Sequence, residues 1–450
     1  MCTVVVWNEH WSWFRCDDLD HYTYPVLCVC CGLPNVFLSW LLLHSVTNTF
    51  NTAYFAISAY MPFDNTGAQY NFTAILDENL VFSPTKYSQY SPLFISAAYA
   101  IAYGSCFAAL SSVFVHTFLW FRKDIVRRFT SALKSERDVH YRLMQAYDEV
   151  PTWWYGLLGG VFLILMCVGV EVFHTGLPIW GALVAFVLSA VLSIPLAMLV
   201  ATANQSFPAQ VMHELMAGYM FPGRPIANVL FKTFAYIGTS QAIGFAGDLK
   251  LGSYMKIPPR VMFSVQVVAS IVGCFVVVSV QDWMLANIED ICTPDQKNGF
   301  SCPTTTTFAT ATLMWGGIGP QRMLGSGALY NPLLWFFLIG ALLPIPFYLL
   351  ARRYPLSFWR YINIPIFFSG LGQVPFANGV NYMSWVLVGF LFNHVIRKYR
   401  FKWWMRYNYI LSAALDAGVT IGMMVIFFCL QFPKGGFELD WWGNKWVLSW

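Results

Sequence analysis

A carboxylate beside an imidazole, set in apolar surroundings, can take up and release a proton near neutral pH. The chain offers this pairing twice. Glu171 and His174 stand at i and i+3 in GVEVFHTG, on one helical face near the end of an apolar run. His213 and Glu214 are neighbours in QVMHELMAGYM; on a helix they point about 100° apart, so they do not share a face. Asp416, inside the last apolar run, is a further proton-coupling candidate. For Glu171 and His174 the alternative is a solvated pair at a boundary, and for Glu214 it is a packing or capping contact. Asp248, Lys250, Lys256 and Arg260 form the most charged island beside apolar segments. The cations there can hold a carboxylate. They can equally be anchors, stiffened by Pro258 and Pro259, which fix φ and remove two donors. Asn204, Gln205, Gln241, Gln373, Asn378 and Asn381 stand near helix breaks. Such amides can bond the N–H and C=O groups of a ligand whatever its side chains, or can tie helix to helix.

The elements that must position these groups are apolar and long. The chain has 450 residues, of which 57% are hydrophobic and 11% charged, with a mean hydropathy of +0.54. That composition implies an all-α, polytopic integral membrane protein, since a hydrocarbon core of ~30 Å needs about 20 apolar residues per helix. Long runs cover 92–120, 153–174, 177–200, 261–283, 329–350 and 408–431. Shorter or interrupted ones lie near 35–50, 205–221, 226–247, 304–324, 362–377 and 381–396. About 9–12 membrane helices are expected, some short, broken or re-entrant. The stretch from His213 to Arg260 is broken by Gly-Arg-Pro and closed by Lys-Ile-Pro-Pro-Arg. Broken helices and irregular backbone within a membrane supply free N–H and C=O groups for a substrate, which is transporter construction.

Charge sets the expected orientation. Loops 121–152, 352–360 and 397–406 are rich in Lys and Arg, so the positive-inside rule makes them cytoplasmic. Segment 51–91 then falls outside, together with the sequon Asn71-Phe72-Thr73. The loop after 261–283 also falls outside. Its Cys292 and Cys302 suggest a disulfide, with two free thiols as the alternative. The segment 130–150 has the mixed charge of an amphipathic cytoplasmic helix. The net charge of +4 is spread over helix ends and suggests no nucleic-acid partner. No cleavable secretory signal is evident in residues 1–31, which lack a basic start and a clean cleavage site.

Several motifs carry a resemblance. DLKLGSYMKIPPR at 248–260, preceded by GYMFPGRPIAN at 218–228, resembles the signature of the oligopeptide transporter family. DICTPDQKNGFSCP at 290–303, WGGIGPQRMLG at 315–325, GALLPIPFYLLARRYP at 340–355 and the segment 362–399 follow in the family's order, and 48–71 also fits. The KIPPR form resembles the branch that carries small peptides. Family members are usually longer, and their Asn-Pro-Gly and Ser-Pro-Tyr-x-Glu-Val-Arg motifs are missing here. The chain therefore resembles a carboxy-terminal portion, with a helical membrane domain at 35–450. Residues 1–34 hold five of the eleven cysteines and match no family motif. A gene-model artefact is the preferred reading of them, and a divergent terminus the alternative.

The resemblance implies a secondary transporter that moves small peptides inward with protons and needs no cofactor or metal. Its partners would be small peptides, protons and the lipid bilayer. Asn204, Gln205, Lys250, Lys256, Arg260, Asn378 and Asn381 are the candidate substrate contacts. Glu214, Glu171, His174 and Asp416 are the candidates for proton coupling. A metal-chelate carrier of the same family and a non-transporting, truncated membrane protein are the alternatives. Enzyme readings find no support: no Gly-x-Ser-x-Gly, His-Glu-x-x-His, phosphate-binding or dinucleotide motif occurs.

The opposed charge of the two loops flanking 92–120 makes a topological prediction. Asn71 should be glycosylated in a secretory membrane, and glycosidase should increase gel mobility. No mobility change, together with protease access to 121–152 from the lumen, would reverse the orientation.

Overall fold

A computed structural model of the chain describes residues 47–130, 139–203, 209–292, 302–371 and 384–429, apart from residues 60, 79, 80, 358, 360, 361, 385, 386 and 427. The described residues are helical, with three isolated β-bridges and no strand. Twelve helices organise them: α1 (Ala97–Thr130), α2 (Thr152–Val172), α3 (Ile179–Ala203), α4 (Gln210–Met220), α5 (Pro225–Lys232), α6 (Gly238–Tyr254), α7 (Pro259–Asn287), α8 (Pro303–Thr312), α9 (Trp335–Leu342), α10 (Pro344–Arg353), α11 (Ile364–Leu371) and α12 (Phe401–Ile426). Six stretches among the described residues are long and apolar enough to cross a membrane: α1, α2, α3, α7, α12 and the run from Asn331 to Arg353. Of the expected short segments, 205–221, 226–247, 304–324 and 362–377 hold α4, α5, α8 and α11, and 381–396 is helical over 387–396; residues 204–208 and 372–383 lie outside the described residues. Residues 35–46 of the first expected segment lie outside the described residues.

α1 is the central helix. Its apolar window is 83% buried, against 6% in α2 and none in α7 or α12. Small residues explain the difference: the repeat AAYAIAYGSCFAALSS lets neighbours approach the α1 backbone closely. α9 and α11 both pack on it. Where α9 crosses, Gly340 lies so near the Ala108 carbonyl and Ser111 that a Cβ would collide with both. α2, α7 and α12 instead carry bulky apolar side chains on exposed faces, as lipid-facing helices do.

Three boundaries differ from those expected. The α5–α6 run continues without a break through a π turn, Thr233–Ile237, to Tyr254, beyond residue 247. It stops because Lys256 adopts a left-handed φ of 63° and the Ile257 amide donates back to Gly252. Pro259 then opens α7 at a position where its missing N–H costs nothing. Similarly, α12 begins at Phe401, so Lys402 and Arg406 stand in its first turns rather than in a loop. Between residues 130 and 150 only Val139–Met144 is described as helix, and residues 131–138 lie outside the described residues.

Residues 61–96 form a cover of turns and bridges with two short helical pieces, Phe72–Ile75 and Pro84–Tyr90. Tyr70, Ile75, Leu76, Phe82 and Ile95 share a core with Trp315, Ile318, Leu324 and Tyr330. Tyr330 hydroxyl accepts from the Ile95 amide at 2.8 Å, and the Tyr70 hydroxyl donates to the Ser91 carbonyl. Buried Asp64 holds the first turn: its Oδ1 accepts from the Thr66 hydroxyl and from the Thr66 and Ala68 amides, and Oδ2 from the Tyr90 hydroxyl. These bonds, the Thr66 hydroxyl foremost, hold its carboxyl below the ordinary value of 3.8 against the opposing effect of burial.

A carboxyl that is more acidic folded than unfolded stabilises the fold fully above its unfolded value. That contribution is lost as pH falls through the folded value. Protease nicking within 61–96 should therefore increase as pH is lowered below about 4, and Asp64→Asn should remove most of that pH dependence. An unchanged profile in Asp64→Asn would show that Asp64 does not control the segment.

Candidate functional site

α4 and α5 form a short antiparallel pair joined by Phe221–Arg224. The turn is tight because Gly223 takes φ 76° and Pro225 starts α5. It is held from outside the pair: Gly223 carbonyl accepts from the Phe82 amide at 3.1 Å, and Arg224 Nη1 donates to the Gly176 carbonyl at 3.1 Å. A second break, where the π turn Leu313–Ile318 ends at Gly319 with φ 85°, packs against it. Gly218 lies against the Trp315 carbonyl and Pro320, while Gly316 lies against Pro225 and Asn228. At both glycines a Cβ would meet neighbouring backbone, so the two breaks fit together only with glycine there. Arg322 closes the junction, its guanidinium 4.6 Å from the Phe82 ring centre and its Nη1 donating to the Ile318 carbonyl.

Behind this junction lies a buried ion pair. Lys232 Nζ donates to Glu214 Oε1 at 2.5 Å, with side chains 1% and 3% exposed. The ammonium also sits 3.3 Å from the centre of the Phe308 ring on α8, a contact that strengthens when both partners are dry. Asn228 Nδ2 donates to the Glu214 carbonyl at 2.9 Å. His213, fully buried, points elsewhere. Its Nδ1 lies 2.7 Å from the Ala209 carbonyl; a carbonyl only accepts, so Nδ1 carries the proton and Nε2 is an acceptor. Among the described residues, Nε2 and the Asn228 Oδ1 are buried and without hydrogen-bond partners. On α1, the Tyr103 hydroxyl donates to that of Tyr99, and Tyr103 meets the Trp315 ring edge-on at 5.2 Å.

The structure brings one of the expected site residues, Glu214, into this centre. Lys250, Lys256 and Arg260 lie at the far end of the α5–α6 run or beyond it, Lys250 about 27 Å from Lys232 along the helix. There Lys250 lies over the Tyr254 ring, Lys256 Nζ donates to the Ser253 carbonyl, and Arg260 pairs with Asp148 at 3.1 Å and bonds the Glu149 carbonyl. Glu171 and His174 are exposed at the end of α2, where His174 takes a left-handed φ of 46°. Asp416 is half-buried on α12. Asn204, Gln205, Asn378 and Asn381 lie outside the described residues. Cys292 and Cys302 are joined as a disulfide. Asn71 is exposed, with its Oδ1 accepting from the Thr73 amide and hydroxyl.

Lys232 goes unmarked by any motif, although a signal exists. It is the lone cation in NVLFKTFAYI, and a lone carboxylate lies upstream across a Pro-Gly turn. Opposite charges buried in adjoining apolar helices must find each other or be neutralised.

Residues 19–430 match the family model described as OPT oligopeptide transporter protein. The chain belongs to the oligopeptide transporter family. The match begins at residue 19, upstream of the first segment in which the family's motifs were recognisable. The chain is 42% identical over 393 residues to Glutathione transporter 1 of Schizosaccharomyces pombe, covering 86% of this chain and 46% of that protein. It is 40% identical over 401 residues to Oligopeptide transporter 1 of Saccharomyces cerevisiae, covering 89% and 50%. Against Oligopeptide transporter 7 of Arabidopsis thaliana it is 38% identical over 400 residues, covering 87% and 51%. The chain thus spans about half the length of the curated relatives it matches. No solved structure matches it. As a member of this family with these apolar helices, it is an integral membrane protein.

Breaking a buried pair leaves one charge uncompensated. Lys232→Met should therefore lower stability by about 3–5 kcal/mol, and Glu214→Gln combined with Lys232→Met should recover most of that loss. Thermal unfolding in detergent would show it. Single and double variants of equal stability would mean that the pair carries no coupling.

Proposed function

We propose that the chain serves secondary active transport of small oligopeptides across a membrane, coupled to protons. The observation that carries this reading is the Glu214–Lys232 pair, buried between α4 and the start of the α5–α6 run, where they meet a second helix break. A charge pair so enclosed contributes little net stability over an apolar substitute. Its presence in an integral membrane protein supports a role in moving charge. Membership of the oligopeptide transporter family, and relatives named as oligopeptide and glutathione transporters, support peptides as the cargo, including glutathione-like molecules.

Within this reading Glu214 is the proton-coupling residue. Protonation removes its charge and frees Lys232, so the α4–α5 pair gains a second electrostatic state without any cofactor. Asn204, Gln205, Asn378 and Asn381 are proposed to bond peptide amides. The partners of Lys250, Lys256 and Arg260 favour anchoring of helix ends over contact with substrate.

The test is uptake of a labelled tetrapeptide and of glutathione by cells that lack their own carriers. Both the chain and a form extended to the length of its relatives should be expressed. Saturable uptake should rise as external pH is lowered and collapse with a protonophore. Glu214→Gln should reduce it severalfold and flatten the pH profile at unchanged surface expression. No uptake by either form would overturn peptide transport, and uptake indifferent to the protonophore would overturn coupling.

A further inference from the structure

Resting on that transport reading, we propose that Lys232 is the receptor for a carboxylate of the substrate, and that Glu214 occupies it as a resident competitor. Nothing in the family's motifs marks this lysine; the geometry does. The ammonium is enclosed and, among the described residues, has two partners, the Glu214 carboxylate and the face of the Phe308 ring. A carboxylate is already its ligand, so a second one of the same chemistry can take the same place.

Charge conservation then dictates the order of events. Among the described residues, the groups in electrostatic reach of Glu214 include Lys232 on α5, Tyr99, Tyr103 and Cys106 on α1, and Tyr236 in the π turn. Tyrosine and cysteine are ordinarily uncharged near neutral pH. His213 bonds the Ala209 carbonyl, and Arg322 is engaged by Ile318 and Phe82. Lys232 is therefore the one cation among the described residues that balances Glu214. If a substrate carboxylate displaced Glu214 from Lys232, an unpaired carboxylate would remain in a dry site, which is strongly unfavourable. One proton from solution must bond to a Glu214 oxygen as the substrate carboxylate bonds to Lys232. The centre begins as Glu⁻ with Lys⁺ and ends as neutral Glu with Lys⁺ and substrate carboxylate, so its net charge stays at zero. One proton thus accompanies one carboxylate. Phe308 holds the ammonium during the exchange, because its face attracts a cation in either state.

The recognised chemistry is a free carboxylate, such as a peptide's C-terminus, and the experiment needs no variant to begin. The unmodified protein should be assayed for competition by a tetrapeptide and by its C-terminal amide. The free acid should compete about tenfold to a hundredfold better, the range of a charge-assisted hydrogen bond. Lys232→Gln should erase this preference. Glu214→Gln should keep it while abolishing its dependence on external pH. Where Lys232→Gln does not reach the membrane, the double variant Glu214→Gln with Lys232→Gln, which buries no charge, should lose both the acid preference and the pH dependence. Equal competition by acid and amide, or an acid preference that survives loss of Lys232, overturns the assignment and leaves peptide transport standing. Absence of any uptake by the unmodified protein overturns the transport reading and the assignment together.

Discussion

Two opposite charges removed from water must stand together, and the middle of this protein is arranged around that requirement. Glu214 and Lys232 come from different helices and meet at hydrogen-bond distance with almost no exposure. Desolvating each ion costs several kcal/mol, and their attraction offsets this only when the geometry is good. The geometry depends on the turn at Gly223, which folds α5 back against α4. It depends also on Gly218 and Gly316, which let a second break press against the first. The cover formed by 61–96 seals the junction through Phe82, whose amide bonds the turn and whose ring takes Arg322.

The helices divide into two populations with different physical tasks. The first half of α1 is rich in Ala, Ser and Gly and sits inside, where close backbone approach replaces the hydrophobic effect as the source of packing. α2, α7 and α12 carry Val, Ile, Leu and Phe outward and are scarcely buried. α4, α5 and α8 belong to neither population. α4 and α8 are too short to span a bilayer, and α5 is the opening of the longer α5–α6 run; α4 and α5 carry the buried charges inward, with the Phe308 ring of α8 against the ammonium. Irregular backbone is tolerated at such a place because protein surrounds it. This division links sequence to function: the long helices hold the position in the membrane, and the broken ones hold the chemistry.

Much was legible without coordinates. Composition and run length determine an all-α membrane protein, because apolar stretches of that length have no other stable placement. The Gly-Arg-Pro and Lys-Ile-Pro-Pro-Arg breaks are written in residues that fix or free φ, and both fall where the chain turns. Glu214 was also legible as a costly group in an apolar helix. Its partner was not. Lys232 is distant in sequence, and periodicity along one helix says nothing about which residue of the next will face it. The cations near Arg260 looked equally able to bind a ligand, since charge in a sequence carries no depth. Only the folded chain puts them near a helix end, Arg260 with Asp148 and Glu149, and puts Lys232 in the interior against Phe308. The sequence by itself determined the solvent this protein needs and where its helices break, since both follow from local residue chemistry. Tertiary structure alone decided which charges meet, because that depends on how separate helices pack.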